Sequence, residues 1–198
     1  MMKRLAPALI ALGLATAAPA AADRLTLPAV SQYLETIGAA EANFTQINSD
    51  GSRMTGRLFI KRPGRIRFEY DAPQEDTLVM ASGGQIAVFD GRGTPEQYPL
   101  RRTPLGIILD RDIDLTRERM VTGHGEQDGR TIVQAQDPDH PEYGRIYLYF
   151  ETNPTRLAEW MIISESGEQT RTLLSDLAPR DDLSERLFSI QNEISAQK

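Results

Sequence analysis

Catalysis needs a nucleophile, a base or a set of metal ligands, and the 198-residue sequence is poor in all three. It has no cysteine and two histidines, His124 and His140, both in turn-rich segments. Thiol chemistry is thereby excluded, and a zinc site lacks its usual nitrogen and sulfur donors. No GxSxG elbow, GxxxxGK phosphate loop, GxGxxG fingerprint or HExxH pair occurs, so no serine has the setting that would activate it. In "DRDID", Asp110 to Asp114, carboxylates alternate, but the glycine and closing glutamate of a calcium loop are missing. That segment reads as a solvated loop with Arg111 and Arg117 as counter-charges, and "DPDHPEYG" around His140 reads as a turn. The expectation is a protein without enzymatic activity, metal or cofactor.

What the chain does supply is apolar surface at strand spacing. In "FIKRPGRIRFEYDAP", Phe59 to Pro73, the residues Ile66, Phe68 and Tyr70 occupy every second position. This predicts a strand with one apolar face and one charged face, the latter carrying Lys61, Arg65 and Arg67 toward solvent. Further on, Tyr147 and Tyr149 alternate with Ile146, Leu148 and Phe150, and Trp160 stands beside Met161 and Ile162. A sheet covered on one side cannot bury so much, so helices, a partner or a ligand must cover the second face. On composition alone, an ordinary core under helices is the simpler of these accounts.

The elements that carry these residues follow from periodicity. Leu27, Val30, Leu34 and Ile37 recur at helical spacing, and the helix ends near Gly38. Period two then takes over in five segments, Asn43 to Ile47, Gly56 to Lys61, Arg65 to Tyr70, Thr77 to Ala81 and Gln85 to Asp90. Short turn sequences separate them, which makes them antiparallel neighbours. The rhythm breaks between Thr94 and Thr116, where one or two helical turns are expected after Pro104. Strands resume at Met120 to His124, Arg130 to Gln134, Arg145 to Glu151, Leu157 to Ser164 and Gln169 to Leu177. The tail from Asp181 carries Leu183, Leu187, Phe188 and Ile190, enough to dock a terminal segment. About ten strands with few helices predict a strongly curved antiparallel sheet with helices on it.

At the N-terminus, Lys3 and Arg4 precede an apolar stretch that ends in Ala20 to Ala22. This is the pattern of a secretory signal peptide over residues 1–22, and it predicts an exported, soluble product of one domain over 23–198. Removing Lys3 and Arg4 takes the formal charge from −6 to −8. So acidic a chain is a poor partner for nucleic acid.

Three segments in order carry a family resemblance: "ANFTQ" at Ala42 to Gln46, "GRLFIKRPGRIRFEYDAP" at Gly56 to Pro73 and "TPLGIIL" at Thr103 to Leu109. Behind a signal peptide, they resemble the LolA family of periplasmic lipoprotein carriers. The resemblance implies an unclosed antiparallel β-barrel of about ten or eleven strands with an α-helical lid. It further implies a monomer that takes triacylated lipoproteins from an inner-membrane ATP-driven transporter, crosses the periplasm and delivers them at the outer membrane, where an acceptor can receive them.

On that resemblance Arg62 occupies the family's "RP" position and latches the lid, whose inward side chains are Leu105, Ile108 and Leu109. Ile66, Phe68, Tyr70, Met80, Phe89, Tyr147 and Trp160 are expected to line the acyl cavity. These assignments take the inward face from alternation, and a one-residue slip reverses it. A glycolipid or phospholipid shuttle and a lipoprotein-sensing regulator are the alternatives on the same scaffold. An envelope hydrolase is disfavoured by the missing nucleophile motifs.

Overall fold

The computed structural model describes residues 24–117 and 119–196, so the expected signal peptide lies outside the described residues. Helix α1 (Leu27–Thr36) opens the fold. Its cap is Thr26, whose hydroxyl accepts the Ala29 N–H, and Pro28 stands in its first turn, where a missing N–H does no harm. Six strands follow: β1 (Ala39–Ile47), β2 (Arg53–Lys61), β3 (Arg65–Tyr70), β4 (Thr77–Ser82), β5 (Gln85–Asp90) and β6 (Glu96–Pro99). After α2 (Leu105–Leu109) come β7 (Val121–Gln127), β8 (Arg130–Gln136), β9 (Gly144–Thr152), β10 (Thr155–Ser164) and β11 (Gln169–Pro179), then α3 (Ile190–Ala196). The sequence pattern did not predict β6. It is a short, mostly exposed edge strand ending in Pro99, so it carries no apolar alternation to reveal it.

All eleven strands form one antiparallel sheet in the order β6-β5-β4-β3-β2-β1-β11-β10-β9-β8-β7. The first and last strands of the chain therefore meet in the middle, and β6 and β7 remain as edges of an unclosed barrel. Its curvature can be read from two rings. Phe68 on β3 and Trp160 on β10 are four strand steps apart, about 19 Å across a flat sheet. Their ring centroids are 6.4 Å apart, so the sheet curls enough to bring these two inner-face rings into contact. Bulges between Glu41 and Asn43, Leu157 and Glu159, and Val121 and Gly123 supply part of that bend.

The inner face carries the main core. Phe44, Leu58, Ile60, Ile66, Phe68, Tyr70, Leu148, Phe150 and Trp160 cluster there beneath Val30 and Leu34 of α1 and Leu105, Ile108 and Leu109 of α2. Helix α1 is fixed by polar ties as well. Ser31 Oγ accepts the Leu115 N–H at 3.0 Å, and Tyr33 Oη accepts the Leu157 N–H at 3.0 Å.

The outer face differs from expectation. Lys61, Arg65 and Arg67 do point outward, but the C-terminal segment covers them. Lys61 Nζ donates to Leu183 O and Glu185, each at 2.7 Å, and Arg65 also pairs with Glu185. Arg67 is only 9% exposed, and it donates to Leu187 O, Glu69 and Glu193. The reason is that Phe59 also points outward and must be buried. Phe188 and Leu183 pack on it, and a buried guanidinium is then tolerable only with partners. Arg117 likewise pairs with Asp139, not with the "DRDID" carboxylates.

Gly56 marks the closest approach inside the sheet. A Cβ there would sit 1.9 Å from the Glu69 carbonyl oxygen, a backbone atom that cannot rotate away. Gly56→Ala is expected to lower the unfolding free energy by about 1–3 kcal/mol in urea titration. Gly125→Ala on edge strand β7, where nothing lies within 4 Å of the added carbon, should stay within about 0.5 kcal/mol of the parent.

Candidate functional site

The inner face does not close over itself, and a cleft of 870 Å³ opens between β3, β4, β5 and β6 on one side and β10 and β11 on the other. Its floor is aromatic. Phe44 meets Phe68 edge to face at 5.3 Å and Tyr70 at 5.2 Å, and Phe68 meets Trp160 in the same way. Edge-to-face contacts of this kind each add about 0.5–1.5 kcal/mol beyond area burial, and Phe68, Tyr70 and Trp160 face the cleft over the buried Phe44. The Tyr70 hydroxyl donates to Gln46 Oε1 at 2.8 Å, and burial pushes its pKa well up, which keeps it protonated and neutral. Val79, Ile86, Val88 and Ile162 make the walls, and Leu105 and Pro104 bring α2 down over one end.

Arg62 sits where three segments meet. The β2–β3 turn that carries it is itself tied down, with its N–H donating to Gly38 O at 2.8 Å and the Gly64 N–H donating to Leu109 O at 2.7 Å. From there Nη1 reaches Leu34 O at 2.7 Å near the end of α1. Nε and Nη2 reach Asp110 O at 3.0 and 2.7 Å, and Nη2 also reaches Arg111 O at 3.0 Å, just beyond α2. Helix C-termini leave carbonyls without partners, and a guanidinium with five N–H donors in a fixed fork satisfies several at once. Burial lowers the Arg62 pKa, while Glu35, Asp110 and Asp112 oppose the shift. The group stays charged in any case, so this junction does not respond to pH in the ordinary range.

The structure brings together Ile66, Phe68, Tyr70 and Trp160 on the inner face with Leu105, Ile108 and Leu109 above them. It separates Met80, Phe89 and Tyr147 from that set, which corrects the expectation that they face the cleft. Met80 and Phe89 lie on the outer face with Leu78 and Ala87, under Ile190 and Ile194 of α3. Phe68 pairs with Val79 and Ile66 with Ala81, so Val79 and Ala81 share the inner face and Met80 must point away. On β5 the same phase turns Ile86 and Val88 inward and Phe89 outward. Tyr147 stands between the inward Ile146 and Leu148, opposite Gln134 and Met161 on the outer side. Alternation leaves open which row faces inward, and pairing register decides the phase.

Sequence reasoning passed over Phe44, although the alternation of Ala42, Phe44 and Gln46 in "ANFTQ" could have placed it on the inner face. It also passed over Arg102, whose Nη2 donates to Glu165 at 3.0 Å across the cleft mouth and whose guanidinium lies 5.6 Å from the Tyr143 ring. A pairing across 63 residues leaves no local signal. Among the described residues no group of three histidine, cysteine or acidic side chains could hold a metal ion, and no helix is long and apolar enough to cross a membrane. What the arrangement can do is hold flexible apolar matter against an aromatic floor.

A relative from Pseudomonas syringae pv. tomato, named outer-membrane lipoprotein carrier protein, is 32% identical over 193 residues, covering 87% of each chain. A second of that name, from Azotobacter vinelandii, is 31% identical over 123 residues, and the match spans 56% of this chain and 58% of the relative. In fold, the chain is similar to a DUF1329 family protein from Desulfovibrio piger, with a TM-score of 0.50 at 11% identity over 84% of this chain and 95% of that one. The family profile described as outer membrane lipoprotein carrier protein LolA matches residues 35–191, and this chain belongs to the LolA family.

Proposed function

We propose that this protein is a non-enzymatic periplasmic carrier that binds the acyl chains of triacylated lipoproteins and conveys them from the inner to the outer membrane. The observation that carries this reading is an apolar, aromatic-floored cleft under a short helix whose far end is held by Arg62. Family membership supports the class of cargo. In this reading residues 1–22 are a removed signal peptide and 23–198 form one carrier domain. An ATP-driven inner-membrane transporter loads it as a monomer, and it unloads at an outer-membrane acceptor.

Magnitudes support the need for such a carrier. At about 0.8 kcal/mol per methylene, three chains of roughly sixteen carbons would cost tens of kcal/mol to hold in water. They also bear on how the cleft works. A methylene fills roughly the volume of a water, about 30 Å³, so 870 Å³ takes some thirty methylenes, fewer than two such chains. Three chains need more room. Leu105 and Pro104 close one end of the cleft, and in this reading loading displaces α2 and breaks the contacts of Arg62 with Asp110 and Arg111. Charge-assisted bonds of this kind contribute about 1.5–3 kcal/mol each. The empty, latched state thus draws the helix back and favours release.

Arg62→Leu removes the latch without touching the floor. The variant should accept lipoprotein as well as the parent but retain it, so that transfer to outer-membrane acceptor falls at least tenfold in a release assay. Normal hand-over would overturn the latch role. Mass spectrometry of the protein purified from the periplasm should find triacylated protein bound. Free phospholipid or glycolipid there would indicate a lipid shuttle instead.

A further inference from the structure

The charges around the cleft mouth bear on which acyl-bearing molecules can enter. Glu96, on edge strand β6, and Glu168, in the turn before β11, line the cleft from opposite sides, and both are exposed. Neither forms an ion pair among the described residues. Arg102 is the one lysine or arginine among the described residues lining the cleft, and it is already bound to Glu165 at 3.0 Å and set against the Tyr143 ring. The mouth therefore offers no free cation to an arriving headgroup and confronts it with two uncompensated carboxylates.

Two kinds of molecule in a bacterial envelope carry acyl chains that fit an apolar cleft. A membrane phospholipid bears an ionised phosphate directly beyond the glycerol esters. A triacylated cysteine bears esters, a thioether and an amide, none of them charged. With the chains buried to the same depth, the linking group of either ligand sits at the mouth, and only the phosphate meets like charge there. We propose that Glu96 and Glu168, together with the Arg102–Glu165 pair, make the cleft selective for acyl chains on an uncharged linkage and turn away phosphate-bearing lipids. This rests on the carrier reading and adds to it the means of rejecting bulk membrane lipid, which the apolar floor cannot distinguish from cargo. Discrimination then comes from a repulsive element and not from tighter packing of the chains. It is exposed to solvent, so salt weakens it within a screening length of about 8–10 Å.

The experiment compares two probes on the purified protein, a synthetic triacylated cysteinyl peptide of neutral sequence and phosphatidylglycerol of the same chain length, each offered from detergent micelles. The amount retained after gel filtration is read by mass spectrometry. The parent should retain the lipopeptide at least tenfold better than phosphatidylglycerol, and higher salt should narrow that ratio. Glu96→Lys with Glu168→Lys should raise phosphatidylglycerol retention about fivefold and leave lipopeptide retention within about twofold. Glu75→Lys with Asp181→Lys makes the same change in net charge at exposed positions outside the cleft lining, and it should change neither. Equal retention of both probes by the parent, or an equal gain in the control variant, would overturn the selectivity while leaving the carrier reading intact. Retention of neither probe by the parent would overturn both.

Discussion

The convergence of helix-end carbonyls on one guanidinium is the constraint around which this molecule is organised. The C-terminal ends of α1 and α2 approach each other above a sheet that has already spent its backbone groups on strand pairing. Leu34 O in α1 and the Asp110 and Arg111 carbonyls just beyond α2 take donors from outside both helices. Arg62 provides them from the β2–β3 turn, and the turn is held in place by its own bonds to Gly38 and Leu109. Lysine could not substitute, because a single ammonium cannot reach carbonyls on two helices in a fixed planar fork. The acceptors are neutral carbonyls and not carboxylates, so the junction is held by geometry and breaks by movement.

That choice of acceptor separates two functions in the same molecule. The floor of Phe68, Tyr70 and Trp160, backed by the buried Phe44, is close-packed and aromatic, and it belongs to the sheet. The cover is a five-residue helix, too short to be stable without its tertiary contacts. In the proposed carrier, a binding surface built into the sheet and a cover that can leave it are what reversible storage of apolar chains requires. A fully enclosed cavity would bind more tightly and release less.

The outer face shows the same sheet solving a different problem. Alternation obliges every strand with an apolar inner row to present an outer row, and in β2 to β5 that row contains Phe59, Met80 and Phe89 as well as Arg67. The C-terminal segment buries the apolar members with Phe188, Ile190 and Ile194 and answers the charged ones with Glu185, Glu193 and main-chain carbonyls. What looks in sequence like a solvated basic stretch is thus an interior interface. Of the acidic residues that neutralise it, Glu185 and Glu193 lie more than a hundred positions away.

The sequence by itself determined the elements, because each is specified by spacing within a few residues. The helix from Leu27, the strand phase of Ile66, Phe68 and Tyr70, and the helical turn after Pro104 all follow from local periodicity and turn chemistry. "KRPGRIRFEY" also carried the family, and with it the lid and the role expected of Arg62. Only the tertiary structure decided which of two alternating rows faces the cleft. Met80, Phe89 and Tyr147 went to the outer face because pairing with Arg67, Leu78 and Gln134 fixed the phase, and a two-residue period is indifferent to which row lies inside. The edge strand β6 and the Arg102–Glu165 bridge were likewise hidden. The strand carries no apolar alternation to reveal it, whereas the bridge joins residues 63 positions apart that are brought close by the curl of the sheet, and curl is a property of eleven strands together.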